Sequence, residues 1–341
     1  MKRKTQKIPK HIQKFRQIHT AYNISHYNAK TGIKRSPEIV WKRLTLPQIG
    51  GKIQYYSKDD YIFEIDEEED VIIAYSKKNL PCFKVTFSPE HGNILIDISY
   101  YPDCAHNIDL PKSKGVYTMF QMIFHFIITH KDIELYNYIQ LTDNSSISIE
   151  YKGNNYFVNL ANMYFLCTGC TWYSSILPII LKKYIDFEHY ILDRYKIIGP
   201  DAISWSSFLE KLPALVKNKF QEIINPKSFD INKPGTARLV LNKMKELKAY
   251  TIIYHLYENE LLTAFGVSSL TGKDWCLPLK DGKIVIPDHP TPETGCLDKH
   301  KMIIPEEFIT YMNKNDYDAL RSELQKEKLY ANPIKFEKLD I

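Results

Sequence analysis

The sequence predicts an α/β (α+β) fold: a mixed, largely antiparallel sheet with buried helices, followed by a second α+β lobe. Two observations predict it. Short runs rich in Ile, Val, Tyr and Phe recur between residues 52 and 102 and are separated by turn-like groups, which is typical of an antiparallel meander. The hydrophobic period then changes to that of a helix, and the whole pattern restarts after about residue 200. The composition, with 44% hydrophobic and 25% charged residues, is globular and excludes disordered and collagen-like classes.

The meander is predicted to contain five strands, which are Lys52–Tyr56, Tyr61–Ile65, Val71–Tyr75, Phe83–Phe87 and Ile94–Tyr101. The acidic run from Glu67 to Asp70 separates two of them. Adjacent acids alternate in direction on an extended chain, so a solvated hairpin tip is favoured over a metal site.

A buried helix should follow the meander, because apolar residues recur at helical spacing. They are Val116, Phe120, Ile123, Phe124, Ile127 and Ile128. We expect the last five to be nearly inaccessible, on a helix that lies against a sheet containing Ile94–Ile98 and Leu135–Leu141. His106, His125 and His130 lie around this helix, and His125, which has apolar neighbours, is interpreted as a core histidine with its hydrogen bonds satisfied.

Residues 153–181 contain no charged side chain, and their length suits a membrane span. Asn, Thr, Ser and Pro residues interrupt the segment, and polar groups are costly in lipid. We therefore predict a buried core helix over Asn159–Ile176 with its entry and exit loops.

Residues 200–341 are predicted to form the second lobe, with three helical patterns and three strand patterns. Helices are expected over Trp205–Ile224, Thr236–Lys248 and Pro305–Lys328, and strands over Tyr250–Tyr257, Leu261–Ser268 and Lys283–Ile286. The predicted domains are a basic arm (1–37), an α/β domain (38–199) and an α+β domain (200–341).

The predicted arm accounts for the net positive charge of the chain. Residues 1–37 hold ten of the 45 Lys and Arg residues and no Asp or Glu, which leaves 35 bases against 40 acids and a net charge of −5 elsewhere. A flexible basic arm on an acidic body is typical of a tail that finds an anion, so residues 1–35 are a candidate contact for nucleic acid or another polyanion. Ser36, Pro37 and Glu38 then form a helix-start signal ahead of Ile39–Leu44.

Six cysteines are too few for a disulfide scaffold, and no apolar signal segment follows Met1, so a reducing, intracellular location is predicted. Cys167 and Cys170 have Cys-x-x-Cys spacing, which allows redox chemistry or part of a zinc site. The string lies in an apolar stretch, and Cys276 and Cys296 are far apart, so two buried structural cysteines are the favoured interpretation.

The order of elements carries a resemblance. A strand ending in Gly92–Pro102 is followed by a loop, Lys112 to Gly115, then by the buried helix, a strand, and a second helix that contains Trp172 and Tyr173. This order resembles the core of the GCN5-related N-acetyltransferases over roughly residues 50–180. The Thr171-Trp172-Tyr173 string is also similar to that of uncharacterised proteins of large DNA viruses with A+T-rich genomes.

The resemblance implies an acetyl-CoA site. The strand before the loop would pair with the pantetheine arm through the backbone of Ile98 and Tyr100. The loop and helix start would hold the pyrophosphate, with Lys112, Lys114, Gly115 and Val116 in those positions, as helix N-termini favour anions. Tyr173 would be the tyrosine that protonates the leaving thiolate. Tyr117 stands where the family has Gly or Ala, and Leu177-Pro178 replaces its Gly-Phe.

Two functions therefore stay open. The first is an acyl-CoA-dependent N-acetyltransferase or a degenerate relative of one, with no metal expected. The second is a binding or structural protein, in the virion or the host cell, whose basic arm contacts a polyanion. An open cleft beside Ile98–Tyr101 and Gly115 would favour the first, and a side chain that fills this cleft would favour the second.

Overall fold

A computed structural model describes residues 42–44, 53–58, 60–110, 114–182, 184–223, 229–244, 248–289, 291, 294–298 and 301–326. The strands of this part of the chain are β1 (Lys42–Leu44), β2 (Ile53–Lys58), β3 (Tyr61–Glu68), β4 (Val71–Tyr75), β5 (Pro81–Ser88), β6 (Asn93–Ile98), β7 (Tyr138–Asp143), β8 (Ser146–Tyr151), β9 (Asn154–Asn159), β10 (Ile180–Leu181), β11 (Lys273–Lys280), β12 (Lys283–Pro287) and β13 (Ile309–Met312). The α-helices are α1 (Gly115–Thr129), α2 (Leu160–Thr168), α3 (Trp172–Ile176), α4 (Tyr184–Ile198), α5 (Trp205–Glu210), α6 (Ala214–Ile223), α7 (Thr236–Met244), α8 (Lys248–Leu256), α9 (Glu258–Phe265) and α10 (Lys314–Lys326).

One mixed sheet organises the described residues, so the α+β class is confirmed. Its strand order is β1-β2-β3-β4-β5-β6-β7-β11-β12-β13, and β10 pairs with the first half of β11. The strands β2 to β6 form the predicted antiparallel meander. Two pairs in this sheet are parallel, β6 with β7 and β12 with β13. Strands β8 and β9 form a separate hairpin.

The predicted buried helix is confirmed as α1. Phe120, Ile123, Phe124 and Ile127 are at most 1% exposed, and the fifth position, Ile128, is half-buried. The helix connects β6 to the parallel strand β7, as a parallel connection requires a crossover. The predicted strand at Leu135 begins three residues later, because residues 133–135 form a 3₁₀ turn that leaves Leu135 exposed.

Two predicted strands in the second half are wrong, since both segments are helical. Residues 250–257 belong mostly to α8, and residues 261–268 belong largely to α9. The group Glu258-Asn259-Glu260, which separates the two predicted strands, forms the first turn of α9, where its acids interact favourably with the positive end of the helix dipole. Gly266 ends α9 in the left-handed conformation.

Three predicted helices have different bounds in the structure, because a glycine, a proline or a strand interrupts them. Gly169 divides the expected helix 159–176 into α2 and α3, and Pro213 lies between α5 and α6. Lys42–Leu44 is a strand rather than part of a helix, while residues 36–41 lie outside the described residues. The C-terminal segment 305–328 contains the strand β13 before α10.

The sheet continues through the predicted domain boundary near residue 199. Strand β11 pairs with β7 over six residues, from Lys273 with Asp143 to Pro278 with Tyr138. One hydrophobic cluster also joins the two halves, since it contains Phe124 of α1 and Leu241 of α7. The division at 199 stays a prediction.

Four of the six cysteines form disulfides, which corrects in part the interpretation of Cys167 and Cys170 as two buried structural cysteines, since Cys170 is half-buried and bonded to Cys296. The bonds are Cys82–Cys104 and Cys170–Cys296, and Cys167 and Cys276 carry buried thiols. Sequence spacing gave no signal for the second pair, because 126 residues separate its cysteines and only the folded chain brings residues 294–298 against the end of α2.

The uncharged segment 153–181 forms four short elements, β9, α2, α3 and β10, and most of it is buried. Its longest helix has nine residues. In the part of the chain that the structure describes, no helix has both the length and the apolar character needed to cross a membrane.

Candidate functional site

The site predicted from the sequence lies where the parallel pair β6 and β7 separates. Their register ends at Ile96 with Leu141, although β6 runs on to Ile98 and β7 runs on to Asp143. From there β6 pairs only with β5, as Ile98 lies opposite Phe83. The carboxyl ends of parallel strands and the start of the crossover helix α1 therefore meet at one edge, which is where α/β sheets commonly bind ligands.

Backbone groups of Ile98 point to the side of β6 on which this pairing has stopped, and we call that position the opening between β6 and β7. Ser99 N–H donates to Cys82 O at 2.8 Å, so the N–H and C=O groups of residues 97 and 99 point towards β5. Those of Ile98 point the opposite way, towards β7, beyond the last residue pair of the parallel ladder. This arrangement leaves a strand edge that an extended polar group could pair with.

The start of α1 supplies further donors. Lys114 is the exposed N-cap residue and has no side-chain cap, and its carbonyl accepts the N–H of Thr118 at 2.9 Å. The N–H groups of Gly115, Val116 and Tyr117 precede that first intrahelical bond, so helix geometry leaves them available at the positive end of the dipole. Lys112, the remaining predicted loop contact, lies outside the described residues.

The structure explains why position 115 is glycine, which the sequence alone does not. A Cβ there would overlap the ring of Tyr100. Tyr100 also donates from its hydroxyl to Leu110 O at 2.7 Å, so its side chain connects the loop 99–110 to the first turn of α1. The ring of Tyr100 thus occupies space beside Gly115, the position at which an open cleft would favour the acetyltransferase and a filling side chain favours the binding or structural protein.

Tyr173 lies next to the first turns of α1. Its ring packs edge-on against Phe120, with the centroids 5.6 Å apart, and against Trp172 at 5.1 Å. Burial raises the pKa of Tyr173 well above its ordinary value, and the nearby carboxylate of Asp143 raises this pKa further. The phenol is therefore protonated at neutral pH and is a hydrogen-bond donor.

Asp143 is a residue of this site that the sequence pattern does not single out, since in the sequence it only ends a strand-like run. It is 1% exposed at the last position of β7, and it accepts hydrogen bonds from Ser145 N–H (3.1 Å) and Ser145 Oγ (2.6 Å). Burial raises the pKa of Asp143, and the bonds from Ser145 partly offset this effect. A buried carboxyl near a half-buried tyrosine whose pKa is raised is the kind of arrangement that functional sites contain. The Asp143-Asn144-Ser145 turn is the only sequence signal for it.

Local structure fixes Tyr173 firmly. Gly169 ends α2 with φ of 76°, which turns the chain into Thr171. Thr171 and Ser174 form a reciprocal capping box at the start of α3, with Ser174 N–H donating to Thr171 Oγ1 at 3.1 Å. The disulfide from Cys170 to Cys296 adds a covalent restraint one residue before this cap.

A second concave region lies between α4 and residues 268–273. Lys273 forms an ion pair with Asp186 at 2.8 Å, and Asp193 accepts the N–H of Ser268 at 2.7 Å. Asp193 also pairs with Lys196 at 2.6 Å, so each of these charged groups has a partner within the protein, and we interpret the region as structural. Within the described ranges, no group of three or more His, Cys, Asp or Glu side chains is arranged to hold a metal ion.

Comparison with known proteins gives no assignment for this site: no protein-family model, no curated protein and no solved structure matches the chain.

Proposed function

We propose that the opening between β6 and β7 binds an acyl-coenzyme A thioester, and that the chain is an acetyltransferase-like protein or a degenerate relative of one. The observation that carries the proposal is the end of the β6–β7 ladder at Ile96 and Leu141, together with the start of α1 at Gly115, which lies against Tyr100, two residues after β6. An unpaired strand edge suits the amide groups of a pantetheine arm. The helix start suits a pyrophosphate.

The residues present fit such a ligand in part. The backbone of Ile98 offers one donor and one acceptor, and Gly115, Val116 and Tyr117 offer helix N–H groups. Lys114 adds an exposed positive charge. The ring of Tyr100 beside Gly115 limits how closely a phosphate can approach on that side.

When bound, acetyl-CoA supplies an activated acyl group and a thiol leaving group. Tyr173 would hold its proton near the sulfur, because its pKa is raised and it stays protonated. A raised pKa also makes the phenol a weaker acid, so hydrogen bonding to the sulfur is a larger part of its role than full proton transfer.

Calorimetric titration of the full chain with acetyl-CoA tests the proposal, and a matched pair of variants assigns the site. Val116→Pro removes one N–H in the first turn of α1, where that N–H has no intrahelical partner, whereas Val116→Ala removes apolar atoms and keeps the N–H. We expect Val116→Pro to weaken binding by about 10- to 100-fold relative to Val116→Ala, the range for a hydrogen bond to a charged group.

Two results would count against the proposal. Equal affinity in the two variants would contradict phosphate binding at α1, and no heat at millimolar ligand with wild type would contradict the proposed function. Gly115→Trp is unsuitable as a test, because any side chain at Gly115 collides with Tyr100 and perturbs the fold.

The position of Tyr100 favours a second candidate. Its ring fills space beside Gly115, which is consistent with a fold that has lost the coenzyme and acts as a binding or structural protein. The basic arm would then carry the function through a polyanion, and residues 1–35 lie outside the described residues. Salt-dependent binding of nucleic acid that is lost on deletion of residues 1–35, with no coenzyme binding, would support this candidate.

A further inference from the structure

The two disulfides of the described residues lie in different surroundings. Cys82 and Cys104 are fully buried, at 0% exposure, whereas Cys170 and Cys296 are half-buried. A reductant must reach the sulfur that it attacks, so exposure favours opening of the second bond. Cys82–Cys104 is therefore an internal control for a structural disulfide in the same molecule.

Two side chains of α4 lie close to the half-buried disulfide. The Tyr190 hydroxyl is 3.9 Å from Cys296 Sγ, and it can donate a hydrogen bond to a thiolate there. Arg194 contacts the residue before each of the two cysteines: its Nε donates to Gly169 O at 3.1 Å, and a Cβ on Gly295 would lie 3.3 Å from its Nη1. A cation and a hydroxyl near a sulfur stabilise a departing thiolate, which speeds disulfide opening and favours the reduced form.

The same disulfide restrains the start of α3. It attaches residues 294–298 covalently one residue before the cap of this helix. Two backbone hydrogen bonds supplement the attachment, namely Asp298 N–H to Ser175 O at 3.0 Å and Ile303 N–H to Ile176 O at 3.4 Å. The second of these is longer than an ordinary N–H···O bond, so opening of the disulfide removes a large part of the restraint.

We propose that Cys170–Cys296 is a redox-sensitive restraint on α3, which a dithiol reductant opens while Cys82–Cys104 stays closed. One thiolate of the reductant attacks Cys170 Sγ and forms a mixed disulfide, and Cys296 leaves as a thiolate that takes up a proton. The second thiolate of the reductant then attacks its own sulfur in the mixed disulfide, and Cys170 leaves and is protonated. The dithiol closes into a disulfide, so it loses the two electrons and two protons that the cysteines gain.

Opening of this bond also affects the candidate site, because α3 carries Tyr173. A looser α3 no longer holds the phenol firmly beside Phe120, so the redox state of the disulfide regulates the candidate proton donor. This consequence for catalysis rests on the proposed function, whereas the opening itself and the loosening of α3 do not.

Disulfide mapping of the full-length wild-type protein tests the selectivity. The protein is incubated with dithiothreitol near neutral pH, and samples taken at successive times are quenched with excess N-ethylmaleimide, digested without reduction and analysed by mass spectrometry. We expect alkylated Cys170 and Cys296 to appear about tenfold faster than alkylated Cys82 and Cys104. Equal rates, or faster opening of Cys82–Cys104, would overturn the inference.

A matched pair of variants tests the part that Arg194 plays. Arg194→Gln and Arg194→Lys both lose the Nε bond to Gly169 O, but only lysine retains the positive charge. We expect the disulfide to open about tenfold more slowly in Arg194→Gln than in Arg194→Lys. Equal rates in the two variants would contradict stabilisation of the leaving thiolate by this charge.

Amide hydrogen exchange measures the effect on α3. We expect faster exchange over residues 171–177 in wild type with only Cys170–Cys296 reduced than in the oxidised protein, and no change in the hairpin β8–β9. The double variant Cys170→Ser with Cys296→Ser should show the same faster exchange without reductant. Unchanged exchange over residues 171–177 in the reduced wild type would overturn the restraint. Neither assay contains coenzyme A, so its failure is distinct from failure of the proposed function.

Discussion

Tyr173 shows how burial and charge act on one side chain. The phenol packs on Phe120, and Asp143 lies close enough to disfavour its ionisation. Both partners come from elements that are distant in sequence, α1 and β7. The raised pKa of Tyr173 therefore depends on the fold and cannot be predicted from the sequence around it. The same holds for Asp143, whose raised pKa depends on burial at the end of β7.

Tyr173→Phe removes the hydroxyl and keeps the ring contacts with Phe120 and Trp172. If the chain transfers acyl groups, we expect kcat to fall by about 100-fold, the lower end of the range for a proton donor, because the raised pKa makes Tyr173 a weak acid. Binding of coenzyme A should change little. Steady-state kinetics and calorimetry separate the two quantities, and a loss confined to affinity would contradict the assigned role.

Helix α1 illustrates what could be predicted at the scale of an element. Its apolar residues repeat at helical spacing over 13 residues, so burial against the sheet determines its structure, and the prediction was correct. The segments of α8 and α9 are shorter and rich in Ile, Leu and Tyr, which are compatible with strands. Their helical structure depends on packing against β9 and on the left-handed Gly266, and composition does not report either.

Strand β11 could not be predicted for a different reason. It contains Pro278, which lacks the N–H that a central strand needs, and its partner β7 lies about 130 residues earlier. The candidate site was predicted in part. Ile98, Gly115 and Tyr173 lie around one edge of the sheet, whereas the ring of Tyr100 beside Gly115 and the carboxyl of Asp143 beside Tyr173 required coordinates.

Two histidines of the α1 region should make the protein less stable in mild acid. Burial lowers the pKa of His130, and burial together with the ammonium of Lys58 lowers that of His125. Since both folded-state pKa values lie below the unfolded value, their contribution to stability is present above about pH 6.5 and is lost as the pH falls through the folded pKa. The free energy of unfolding should therefore decline from pH 7 to pH 5.

His130→Phe tests this decline, because phenylalanine keeps the ring stacked on Phe87 (centroids 3.9 Å apart) and cannot be protonated. Urea denaturation at pH 7 and pH 5 should show a smaller decline in His130→Phe than in wild type. His289→Gln, at a position outside this region, is the control. An equal decline in wild type and His130→Phe would show that burial of His130 has no part in the pH dependence.

At the scale of the whole molecule, the sheet depends on both halves of the chain. Strand β7 lies between β6 and β11, and β11 comes from residues 273–280. A fragment of residues 38–199 would expose the edge of β7 and lose Cys296 as the partner of Cys170. We expect this fragment to lack a cooperative unfolding transition and to aggregate, because an apolar strand edge pairs with other chains.

Urea denaturation of the fragment, followed by circular dichroism, checks this expectation against the full chain. A single sigmoidal transition in the fragment would contradict it, and the division near residue 199 would then describe an independent domain.

The account depends most on the claim that the opening between β6 and β7 receives the coenzyme. Amide hydrogen exchange of the full chain, with and without coenzyme A, measures this directly. We predict slower exchange in peptides that cover residues 97–101 and 115–119, because Ile98 and the first N–H groups of α1 would gain partners, and no change in the hairpin β8–β9. Unchanged exchange in those two peptides at saturating coenzyme A, or protection confined to other parts of the chain, would contradict the claim.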